Sequence, residues 1–268
     1  MWVLLSRSFL RIATSSGKVI RREYREAHSR QRSIDTALLC REFSRFAASP
    51  SYMLNCGLGT FLMPLCAVAM LWKGSELFAV LDAMFAETPD SVPFLLCVVF
   101  CGLASMNFMT APSVSLEGKS LWLLQSLPVE PWRIFQAKIE MQLLLTGLPL
   151  LLCIVCTATV YPMHPMQLLV LLLFEGSFVL LMALVGLSLG VKMPTLTWTN
   201  EIMPIKQGAP VMITLFGGFG YMVLLFVGFM LLPGWILGFC RYMSYFVAAN
   251  LFLSVLAYLW LWNKGVAR

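Results

Sequence analysis

Six stretches of the chain are long, nearly uncharged and bounded by proline, glycine or charge: approximately residues 51–72, 92–111, 141–160, 167–190, 211–232 and 244–262. A helix needs about 20 apolar residues to cross a bilayer, and each stretch supplies them. The pattern predicts an all-α integral membrane protein, a bundle of about six transmembrane helices. Five or seven spans follow instead if Pro64 or Pro149 breaks a helix.

Shorter periodic segments lie between the spans. Ile34, Leu38, Leu39, Phe43 and Phe46 recur at helical spacing, with Asp35, Arg41, Glu42 and Arg45 on the opposite face. Ser33 can cap this helix and Pro50 stops it, which predicts an N-terminal amphipathic helix lying on the inner leaflet. Residues 1–50 thus read as a basic arm and residues 51–268 as the six-span domain. After the first span, Leu77, Phe78, Leu81 and Phe85 suggest a further helical stripe outside the membrane. Residues 161–165 read as a tight turn, and residues 233–242 as a short re-entrant piece.

Composition agrees with lipid as the solvent. Hydrophobic residues make up 59% of the 268 and charged residues 12%, with mean hydropathy +0.82. A soluble domain carries roughly 25% charged residues. The net charge of +6 reports orientation rather than nucleic acid, because the basic residues lie between the apolar runs. With the N-terminus inside, the cytoplasmic segments hold 17 Lys and Arg and the outer ones 2, Lys73 and Arg241. The positive-inside rule then places both termini in the cytoplasm of a multi-pass plasma-membrane protein. Residues 1–5 are too short for the core of a secretory signal.

Candidate chemistry is sparse. The thiols Cys153 and Cys156 sit inside an apolar run with no second pair and no nearby histidine, so they read as packing residues rather than a redox or metal pair. Gly118-Lys119-Ser120 lacks the earlier glycine of a phosphate loop, because position 113 is serine. The chain therefore carries no ATPase motif. His28 and His164 have no acidic partner at fixed spacing, and no metal-ligand pattern or nucleophile elbow is present. Glu175 is the one acidic residue well inside a span; it is either a functional group or a protonated packing residue. Together with Asn55, Asn107 and Asn250 it makes a thin candidate set of intramembrane polar residues.

The loop within residues 112–140 differs from generic linker. Leu121, Trp122, Leu124 and Leu127 form an apolar face on a short helix ended by Pro128, and Pro131 opens the next helix. Such a face needs a partner surface or the inner leaflet to rest on. The charges of Glu117 and Lys119 read as partly exposed.

These residues resemble the coupling-helix region of type-2 ABC exporter permeases. The matching positions are Glu117, Gly118, Lys119, Trp122, Leu127, Pro128, Ile134, Ala137 and Lys138. Residues 40–55 are similar to that group's entry into a span, through Glu42, Arg45, Phe46, Ser49, Pro50, Tyr52 and Asn55. Residues 192–207 are similar to a further loop, through Pro194, Trp198, Asn200, Glu201, Lys206 and Gln207, with Pro204 as a departure. The matches span about residues 40–262. The group often has two six-span halves, so the chain looks like a C-terminal half with residues 1–5 the tail of a preceding span.

The resemblance implies a permease subunit driven by a separate cytosolic ATPase that holds ATP and Mg. The segment from Glu117 to Pro128, with Leu124, would couple to that ATPase. The helix carrying Leu38, Glu42, Phe43, Arg45 and Phe46 would move with it. A second permease half or a second copy would complete the pathway, in contact with membrane lipid and without nucleic acid. The rival readings are an orphan channel or secondary transporter, or an intramembrane enzyme with no recognisable motif.

Overall fold

The computed structural model describes residues 33–88, 90–231 and 238–265. Within the compact unit that begins at Ile34 the described chain is helical, with no β-strand. The amphipathic pattern folds as α1 (Ile34–Ala48). A short α2 (Pro50–Cys56) follows, started by Pro50 and by the Ser49 side chain, which accepts from the Tyr52 amide. The long helices are α3 (Leu58–Met84), α7 (Pro131–Val160), α8 (Pro165–Lys192), α9 (Ala209–Leu231) and α10 (Phe239–Trp260). These five are long and apolar enough to cross a membrane, α10 together with its extension to Gly265.

The bundle is built around α8. In its apolar window 61% of residues are buried inside the protein, against at most 28% in the other four. Leu71, Leu152, Phe216 and Phe252 on those four point outwards, as lipid-facing side chains do. Phe174 and Phe178 of α8 stack with Tyr221 of α9 at the centre.

The structure corrects the expected spans at two places. The first does not begin at residue 51, because the chain breaks at Gly57, and α3 then continues to Met84. The stripe of Leu77, Phe78 and Leu81 therefore belongs to the same 27-residue helix and is not a separate outer one. The second expected span is discontinuous. It consists of α4 (Ser91–Ser105), a non-helical passage through residues 106–109, and the single turn α5 (Thr110–Ser113). Fifteen residues of helix rise only about 22 Å.

The two breaks meet. Gly57 and Asn107 pair as an isolated antiparallel bridge, and the Phe108 amide donates to the Cys56 carbonyl at 3.1 Å. Side chains replace the missing helical bonds. Asn107 Oδ1 accepts from the Thr60 amide at 3.0 Å, and Gln142 of α7 donates to the Asn107 carbonyl at 3.1 Å. Gln142 Oε1 accepts from both the amide and the hydroxyl of Thr110, each at 2.9 Å. Irregular backbone at this depth is tolerated only when its polar groups are satisfied by protein. The crossing is also tight: a Cβ on Gly59 would lie 2.3 Å from the Leu103 carbonyl oxygen.

The turn at residues 161–164 is present, and His164 and Gln167 form a capping box at the start of α8. Of the residues 233–242 expected to be re-entrant, 233–237 lie outside the described residues, while Gly238 precedes α10 and residues 239–242 form its first turn. The whole arm before Ser33, His28 included, also lies outside the described residues.

Candidate functional site

Helix α1 does not present all of its charges to solvent as its pattern suggests: Asp35 is exposed, but Glu42 is not. The helix buries Leu38, Glu42 and Phe46, one turn apart, against α7 and its neighbours. The expectation that Glu42 lies on the solvated face is therefore wrong: its residue exposure is 3%. The cause is a cation from another helix. Lys138 of α7 is 1% exposed, and its ammonium lies 3.2 Å from Glu42 Oε1.

Lys138 also donates a short hydrogen bond to Glu117 Oε1. Glu117 is 3% exposed, so the expectation of a partly exposed charge is overturned for it as well. Arg45 closes the cluster, 3.5 Å from Glu42 and 3.4 Å from Glu117, and Arg41 approaches Glu42 at 3.8 Å. Burial by itself raises the Glu42 carboxyl, but Lys138, Arg45 and Arg41 outweigh it and hold the group below its ordinary value. A cluster of this kind tolerates no vacancy, because one missing partner leaves a charge stranded without water.

The loop above the cluster is shaped by Gly118 and Trp198. Residues 115–120 form a 3₁₀ turn interrupted at Gly118, whose φ of +47° is open to glycine and costly for other residues. The Trp198 ring covers that glycine: a Cβ there would meet Trp198 Nε1 at 3.0 Å. Trp198 donates from Nε1 to the Ser115 carbonyl at 2.6 Å, and the Thr195 amide donates to Ser115 Oγ at 3.0 Å. Ser49, between α1 and α2, donates to Glu201 at 3.1 Å. Three segments distant in sequence, 40–55, 115–138 and 192–207, thus converge at one end of the bundle.

From this base projects α6 (Leu121–Gln125). Leu124 turns inwards and is buried. Trp122 is 66% exposed, and Leu123 and Leu127 are exposed beside it. The short helix ends before Pro128, and α7 starts on Pro131, both as the pattern predicts. The Lys119 side chain lies outside the described residues.

The four residues expected as an intramembrane polar set do not form one network, and Asn55 lies on α2, before the first candidate span. Asn55 donates to the Ser51 carbonyl one turn back, and Asn107 serves the helix break. Asn250 accepts from the Tyr221 hydroxyl at 2.7 Å and donates to Ser177. Glu175 is buried and accepts from the Cys97 thiol at 3.6 Å, while its second oxygen has no partner among the described residues. Cys153 donates to the Met63 carbonyl, a packing role for the apolar Cys-x-x-Cys run.

Sequence reading named Lys138 only through the resemblance and did not single out Gln142. Their signal was available: Lys138, Gln142 and Thr146 recur every fourth residue on one face of a span, and all three are buried. No protein-family model matches the chain, and neither does any curated protein or solved structure.

Proposed function

We propose that the chain is the transmembrane permease subunit of an ATP-driven exporter, resembling the type-2 ABC permeases. The observation that carries this reading is the convergence of its three resembling segments. The loop at 115–138 is pinned to α1 and α7 through Glu117, Glu42 and Lys138, and to the 192–207 segment through Trp198. A push on α6 is therefore delivered to three parts of the bundle at once. Trp122, Leu123 and Leu127 stand outside that pinned base as the docking face for a separate ATPase, which holds the ATP and Mg. The excess of basic residues in alternate segments supports a plasma-membrane orientation with both termini and α6 in the cytoplasm. A second half or second copy supplies the facing bundle.

The test is co-purification with an ATPase that carries a complete phosphate loop. Trp122→Ala removes an exposed aromatic that the bundle does not need. Truncating a central interface aromatic costs about 2 kcal/mol or more, which weakens association roughly thirtyfold. The variant should fold normally and lose the ATPase. Wild-type ATPase retention by Trp122→Ala would remove this helix from the interface, and no ATPase with the wild-type chain would end the exporter reading.

A further inference from the structure

A cavity of about 420 Å³ lies beneath the 115–138 loop, within the roughly 300–1,000 Å³ range of small-molecule sites. Its apolar wall is made by Leu121 and Leu124 of the loop helix, Ile134 and Phe135 of α7, Val191 at the end of α8, and Leu196 in the segment that follows it. Three charged residues also line it: Glu117, Lys138 and Lys192.

Glu117 is only half used by the protein. Its Oε1 takes Lys138 and Arg45, whereas Oε2 is buried without a partner among the described residues. A buried carboxylate oxygen calls for a donor. Charge narrows what that donor is. Arg41, Arg45 and Lys138 set three positive charges against the two of Glu42 and Glu117, and Lys192 adds another at the cavity. An additional cation is disfavoured there, while a neutral donor on an anionic group is favoured. Depth narrows it further. The cavity lies where α7 begins and α8 ends, and both are candidate membrane spans, so it sits at the level of phospholipid head groups.

We infer that this cavity binds one anionic phospholipid whose head group ends in a hydroxyl. The hydroxyl donates to Glu117 Oε2, Lys192 faces the phosphate, and the apolar wall receives the start of an acyl chain. The inference goes beyond the exporter reading and does not depend on an ATPase being present.

The experiment compares two lipids of equal charge and equal chains. The full chain is reconstituted in phosphatidylcholine nanodiscs doped with phosphatidylglycerol or with phosphatidylmethanol, which lacks the hydroxyls. Bound lipid is then counted by native mass spectrometry after transfer to mild detergent. Wild type should retain phosphatidylglycerol about tenfold better, the size of one hydrogen bond to a charged group, about 1.4 kcal/mol. Lys192→Ala should lower retention of both lipids alike. Leu124→Phe fills the cavity and should erase the tenfold difference, and Val191→Phe does the same from the opposite wall should the first variant fail to fold. Equal retention of the two lipids by wild type, as for an annular lipid, overturns the proposal. A preference that survives cavity filling overturns it too.

Discussion

Replacing Lys138 with methionine tests the cluster where it is most exposed to failure. The substitution keeps most of the side-chain volume in a site that is 1% exposed, so packing is nearly conserved and the charge is lost. Glu42 and Glu117 then share one cation, Arg45, at 3.5 and 3.4 Å, with Arg41 at the edge. Removing one partner of a buried ion pair costs about 3–5 kcal/mol, and the remaining arginines bring the expected loss towards about 3 kcal/mol at neutral pH. The loss depends on pH with a definite sign. In the wild type the Glu42 carboxyl is held below its ordinary value, so its contribution is present above the ordinary carboxylate range and disappears as pH falls through the depressed one. In the variant the same carboxyl keeps its burial and loses its principal cation, so protonation relieves it. The gap between the two proteins should therefore close as pH falls, beginning above the ordinary carboxylate range as the variant protonates and ending as the wild type passes its depressed Glu42 value. Adding Glu117→Gln to Lys138→Met should recover about half of the loss, because one stranded charge disappears. The assay is urea unfolding in detergent micelles followed by tryptophan fluorescence. A loss below about 1 kcal/mol at neutral pH, or a gap that widens on acidification, would refute the coupled cluster.

Further outcomes can be checked independently. In a cysteine-free background, His164→Cys should react with an impermeant thiol reagent from outside and Thr199→Cys only from inside; the reverse pattern would sink the proposed orientation. Gly59→Ala should destabilise by at least about 2 kcal/mol, since the methyl would lie 2.3 Å from a backbone carbonyl that cannot yield; wild-type stability would mean that the two helices separate freely there. Glu175→Ala should cost about 2–3 kcal/mol through a cavity beside Cys97, while Glu175→Gln, which keeps shape and an acceptor, should cost less than about 1 kcal/mol. Equal losses from the two would show that the charge at Glu175, not its volume, is what the bundle needs.

The long helices were legible because hydropathy is a local signal: the apolar runs at 167–190 and 211–232 reappear as α8 and α9 within a few residues. The break in the second span was not legible. Residues 106–109 are as apolar as their neighbours apart from Asn107, and what unwinds them is a set of hydrogen bonds to Thr60 and Gln142 on other helices. Burial of Glu42 was hidden for the same reason. A helical wheel assigns every charge to the wet face unless its partner is known, and Lys138 lies on a different helix. The contact of Trp198 with Ser115 joins residues 83 apart in sequence. Short motifs marked these segments as unusual, and only the fold brought them together.

The paired helix breaks carry a consequence for how the chain is made. Gln142, which bonds the Asn107 carbonyl and the Thr110 amide, is synthesised 35 residues after Asn107. During translation the second apolar segment therefore emerges from the ribosome before the residue that completes it. Helix α4 alone rises about 22 Å, well short of the roughly 30 Å hydrocarbon layer, and the unwound residues beyond it have unmet backbone groups. This segment must wait, at the insertion machinery or at the membrane surface, until α7 has emerged. A ribosome stalled between the two would leave a half-inserted intermediate, the form of the protein most open to quality-control proteolysis.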